Sequence, residues 1–71
     1  MVALMSIDGL VARVQAEYRE MPGLSLTTRQ ASRLWGMHLS VCEQVLEELV
    51  LKGVLHKRSR GTYVAGPSVR E

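Results

Sequence analysis

The sequence predicts one α+β domain, a three-helix winged helix-turn-helix with a short β-hairpin wing in the order α-β-α-α-β-β. Three observations predict it. Two capped helical segments meet at Gly36 within the run from Leu26 to Val64, the second of them ends at Gly53, and a basic, β-prone stretch with a turn at Gly61 follows.

The first helix can be capped by Ser6 or Asp8, and its apolar positions Ile7, Leu10, Val11, Val14, Tyr18 and Met21 follow the three-four spacing of one buried stripe. Pro22 and Gly23 stop it. Leu24 to Leu26 is too short to stand alone but suits a strand of one to three residues paired with the later hairpin. Thr27 with Gln30 forms a capping box, Leu26 with Ala31 the accompanying hydrophobic staple, and the second helix is expected from Thr28 to about Trp35 with Ala31, Leu34 and Trp35 inward. Gly36 is the left-handed residue that lets the next helix leave at a steep angle.

The third helix carries Cys42, Val45, Leu46, Leu49 and Val50 on one face, then Lys52 and Gly53 at its end. Its start has two readings: His38 in the capping place, or Ser40 with Glu43, which is the better capping box. Val54 to Arg58 and Thr62 to Ala65 are extended, and Ser59, Arg60 and Gly61 turn between them. The domain is expected to span 1–66, with a loose polar tail over 67–71.

Seventy-one residues make at most one small domain, and no acid-base constellation accompanies them, so neither a catalytic cleft nor a catalytic residue is expected. Hydrophobic residues make up 46% and are interspersed with charge, which argues for a globular chain, and no apolar run is long enough for a membrane span. The lone Cys42 forms no internal disulfide, and Met1 to Met5 lacks the basic start of a secretory signal, so a reducing cytoplasm is expected. Cys42 and Trp35 read as core residues. His38 and His56 have no partners at metal-ligand spacing, and no metal or cofactor is expected.

A net charge of +2 permits a polyanionic partner without demanding one, so distribution decides. Between Leu26 and Ala65 the bases are Arg29, Arg33, Lys52, Lys57, Arg58 and Arg60, whereas the acids Glu43, Glu47 and Glu48 all lie on the third helix. The wing is basic and the third helix acidic. Read without a partner, the acids are a solvated face, with Glu48 and Lys52 an i,i+4 pair and Glu43 serving the cap.

LTTRQASRLWG, CEQVLEELVLKGVL and RGTYV together resemble the positioning helix and turn, the recognition helix and the returning wing strand of gluconate-repressor-type bacterial transcription regulators, and of small stand-alone winged-helix proteins. The resemblance covers about half the chain. It implies binding of double-stranded DNA, with the start of the third helix in the major groove. By analogy His38 takes the capping place. The positions matching groove-facing residues are Leu39, Ser40, Val41, Glu43 and Gln44, with Leu39 and Glu43 standing where such regulators often carry arginine. Ser40 and Gln44 are then the base readers, Lys57, Arg58 and Arg60 hold phosphate or the minor groove, Arg29 and Arg33 position the backbone, and His38 meets phosphate.

Leu39, Val41 and Leu51 do not fit the inner stripe and suggest a second apolar surface for a homodimer or a protein partner, unless the first helix partly covers Val41 or Leu51. The expected function is a small cytoplasmic DNA-binding regulator, a homodimer because one module supplies little affinity. The alternative is a winged-helix protein-interaction module whose acidic third helix never meets DNA.

Overall fold

The computed structural model describes residues 6–66, in which α1 (Ile7–Glu20), β1 (Ser25–Thr27), α2 (Thr28–Trp35), α3 (Leu39–Leu51), β2 (Leu55–Lys57) and β3 (Thr62–Ala65) follow one another. The order α-β-α-α-β-β is the one expected, and the three strands form one antiparallel sheet with β3 between β1 and β2. The tail expected over 67–71 lies outside the described residues.

Local chemistry accounts for the starts of α1 and α2 and the ends of α2 and α3. Ser6, not Asp8, caps α1, its Oγ accepting from the Gly9 N–H at 3.1 Å. At the start of α2 the capping box is complete: the Gln30 N–H donates to Thr27 Oγ1 at 3.1 Å, and the Thr27 N–H donates to Gln30 Oε1 at 2.9 Å. Gly36 ends α2 at φ 66° and Gly53 ends α3 at φ 78°, a backbone region in which a Cβ is strained. At the second site the Val54 N–H reaches the Leu49 carbonyl and the Gly53 N–H the Val50 carbonyl, which satisfies the last carbonyls of the helix in the Schellman pattern.

β1 is three residues long because its pairing is tertiary: Ser25, Leu26 and Thr27 sit opposite Val64, Tyr63 and Thr62. On the other side of β3, Leu55, His56 and Lys57 sit opposite Ala65, Val64 and Tyr63. The core lies between this sheet and the helices, and comprises Val11, Val14 and Tyr18 of α1, Ala31 and Trp35 of α2, Cys42, Val45, Leu46 and Leu49 of α3, and Leu55 and Tyr63 of the sheet. Tyr18 and Trp35 pack with ring centroids 6.2 Å apart at 60°. The buried Tyr18 hydroxyl donates to the Tyr63 carbonyl at 2.8 Å, so α1 is tied to the central strand by a hydrogen bond as well as by packing.

Two residues assigned to inner stripes are outside. Met21 is exposed because α1 ends at Glu20 and Met21 turns away with φ −127° and ψ 80°, so helical spacing no longer directs it. Leu34 is 56% exposed: the buried face of α2 runs through Ala31 and Trp35, and at about 100° per residue Leu34 points well to one side of it. Val50 is only partly buried, packed against the core from its edge.

Candidate functional site

The hairpin between β2 and β3 is built by a short hydrogen-bonded turn. The Gly61 N–H donates to the Arg58 carbonyl and the Arg58 N–H to the Thr62 carbonyl, both at 2.8 Å, with Gly61 at φ 86°. This is a three-residue loop with its left-handed position filled by glycine. Arg58, Ser59 and Arg60 are exposed on it. Between the turn and the first residues of α2 and α3 lies an open groove of about 350 Å³, bordered by Arg29, Leu39, Glu43, Lys57 and Arg60 among others.

The start of α3 is settled by its backbone. His38 is the N-cap at φ −59° and ψ 145°, with no side-chain capping bond, so Ser40 and Glu43 do not form the alternative capping box. Ser40 is an exposed first-turn residue. The angle at which α3 leaves α2 is held by a contact that sequence reasoning missed, the Ser32 hydroxyl donating to the Met37 carbonyl at 2.6 Å across the Gly36 turn. Along the outer face of α3, Ser40, Glu43, Gln44, Glu47, Glu48 and Leu51 border a second shallow groove. Leu51 is 81% exposed and Leu39 46%, whereas Val41 packs against the core. Leu39 and Leu51 stand roughly 18 Å apart along the helix axis and border different grooves, so the expected second apolar surface is two separate points.

Behind the first groove, three side chains from α3, β2 and β3 meet. The Tyr63 hydroxyl donates to Glu47 Oε2 at 2.7 Å. Lys57 Nζ lies 3.8 Å from the same oxygen and 5.6 Å from the centre of the Tyr63 ring. Lys57 is therefore turned toward a carboxylate, whereas Glu48 and Lys52 do not make the ion pair expected of them among the described residues. Nothing in local spacing announces the Glu47 contacts, because Tyr63 is 16 residues away and on another element.

Both tyrosine hydroxyls are pushed up to about 12. Burial is the main cause for each, followed at Tyr18 by the neighbouring Cys42 and at Tyr63 by its hydrogen bond to Glu47. The folded state holds these protons more tightly than the unfolded chain, so their stabilising contribution is complete below pH 10 and is lost as pH rises from about 10 to 12. Each tyrosine then forfeits the stability that its raised pKa represents, Tyr18 the more so because its hydroxyl is the more deeply buried. The helical circular dichroism is expected to collapse in the same interval in which tyrosinate absorbance grows. Tyrosinate forming near pH 10 with the helical signal intact would mean that neither hydroxyl is held.

Of the residues singled out in the sequence, Arg29, Lys57 and Arg60 share the first groove, and Ser40 and Gln44 share the second, with Glu43 common to both. Arg33, His38 and Arg58 are exposed and border neither. Cys42 is wholly buried, and burial holds its thiol above the ordinary value, the state of a core residue and not of a nucleophile. Among the described residues no helix is long and apolar enough to cross a membrane, and no three His, Cys, Asp or Glu side chains are grouped to hold a metal ion. The chain matches no family model and none of the curated proteins with which it was compared.

Proposed function

We propose that the chain is a winged helix-turn-helix protein that binds double-stranded DNA and regulates transcription, with α3 in the major groove and the β2–β3 hairpin on the backbone or in the minor groove. The observation that carries this reading is the convergence of Arg29 and Arg60 on one groove at the N-terminal ends of α2 and α3, with Arg58 exposed on the adjoining turn. Guanidinium groups meet phosphate oxygens with a planar pair of donors, and the positive end of a helix dipole favours the negative charge of the same phosphate. Arg33 and His38, exposed nearby, extend the backbone contacts.

Ser40 and Gln44 are one helical turn apart on the exposed face of α3 and supply the base contacts, serine to any base edge and glutamine to adenine. Glu43 between them disfavours phosphate and can accept from a cytosine amino group. A single module of this size supplies little affinity or specificity, so the working form is a homodimer in the cytoplasm, reading half-sites roughly 34 Å apart or a multiple of that.

The test is a titration of labelled protein with a short mixed-sequence duplex at low and moderate salt, followed at every backbone amide by NMR. Salt-sensitive shifts are expected at Ser40, Gln44 and the Lys57–Gly61 turn. Silence there at low salt would favour a protein-interaction module, working through the acidic outer face of α3 and the exposed Leu51 at its end.

A further inference from the structure

We propose that Glu47 is the positioning residue of the hairpin and the group that masks Lys57, so that phosphate binding by the wing is left to Arg58 and Arg60. The inference rests on the DNA-binding reading. Three observations lead to it.

The first is convergence. One carboxylate oxygen, Glu47 Oε2, takes both the Tyr63 hydroxyl proton at 2.7 Å and the Lys57 ammonium at 3.8 Å. Tyr63 is on the central strand and Lys57 is its pairing partner on β2, at the last residue before the turn. The carboxylate thus grips both strands of the hairpin from α3 and sets the angle between the hairpin and the helix proposed to enter the major groove. The hydrogen bond does this work, being short and charge-assisted, whereas an ion pair with both side chains about half exposed is weak.

The second is electrostatic. A phosphate close to Lys57 would also be close to Glu47, and the repulsion from one offsets the attraction of the other. Neither Arg58 nor Arg60 has such a partner within ion-pair distance among the described residues. The third is placement: Lys57 borders the groove that Arg29 and Arg60 share, so its charge, once uncovered, would face the same ligand.

These relations predict a specific pattern in a double-mutant cycle. Gln at position 47 retains an oxygen to accept from Tyr63, so Glu47→Gln keeps the hydrogen bond, without its charge assistance, and removes the mask. Binding to a short mixed-sequence duplex is measured by fluorescence anisotropy over a salt series for the wild type, E47Q, K57A and the double variant. E47Q is expected to bind roughly fivefold more tightly at low salt, and its log–log salt slope to steepen by about 0.9, the increment for one added phosphate contact. K57A alone should leave the slope within error of the wild type, and the gain from E47Q should vanish when Lys57 is absent.

A slope that falls by about 0.9 in K57A alone would overturn the masking, since Lys57 would already be at phosphate. A gain from E47Q that persists without Lys57 would also overturn it, reducing Glu47 to one more acid that repels a polyanion. Either result leaves the DNA reading intact. Binding by E47Q but not by the wild type would support the mask and remove duplex DNA as the natural partner, and binding by neither would overturn both readings together. K57A alters an exposed side chain and keeps the test valid should E47Q fold poorly.

Discussion

Replacing Arg58 and Arg60 together by alanine is expected to weaken duplex binding roughly tenfold to a hundredfold at low salt and to flatten the log–log salt slope by about 1.8, the loss of two phosphate contacts. Both side chains are exposed on the turn, and no carboxylate lies within ion-pair distance of either among the described residues, so their charge is available to counterions and to phosphate alike. The turn itself depends on the Arg58 backbone and on Gly61 at φ 86°, and alanine preserves the first and leaves the second untouched. The thermal midpoint should therefore stay where it is while binding falls, which separates lost contact from lost fold. The opposite signature is expected from Ser40→Ala with Gln44→Ala: base contacts specify sequence without carrying counterion release, so preference between duplexes should fade at an unchanged slope. If the double arginine variant keeps the wild-type slope, the hairpin has no place in the interface.

What could be read from the chain alone was whatever is encoded within a few residues. Thr27 and Gln30 satisfy each other's backbone across one turn, and Gly36, Gly53 and Gly61 stand where the chain must adopt positive φ, so element order and turns followed directly. The failures share a cause. Met21 and Leu34 continue an apolar spacing, but one lies past its helix end and the other outside a narrow buried face that only the neighbouring elements define. Ser40 and Glu43 have the spacing of a capping box, yet the backbone turns two residues earlier, at His38. Glu48 and Lys52 have ion-pair spacing but remain apart, because an exposed i,i+4 pair is worth only a few tenths of a kcal/mol and does not hold two long side chains in place. The contacts that do organise the candidate site, Ser32 with Met37 and Glu47 with Tyr63 and Lys57, depend on how helices and strands are placed, and no spacing rule reaches across elements.

Leu46→Ala is expected to lower stability by about 2–5 kcal/mol, the range for removing a large aliphatic side chain from a packed interior. Leu46 is among the largest side chains that are fully buried, and it lies on α3, whose inner face faces the core while its outer face carries Ser40 and Gln44. A domain of this length has roughly 4–10 kcal/mol in total, so one cavity removes a large share of it. At about 4–8 °C per kcal/mol the thermal midpoint should fall by roughly 8–40 °C in a melt followed by circular dichroism. Tyr18→Phe is the comparison. It keeps the ring against Trp35 and deletes only the hydroxyl donated to the Tyr63 carbonyl, so it should cost about 1–2 kcal/mol. A loss from Leu46→Ala smaller than that from Tyr18→Phe would mean that this polar tie, more than apolar packing on α3, holds the fold. Leu46→Ala also changes no charge, so well below its lowered midpoint it should bind duplex with the wild-type salt slope. A shallower slope from the fully folded variant would show that packing beneath α3 sets the reach of Arg58 and Arg60, and would extend the interface account into the core.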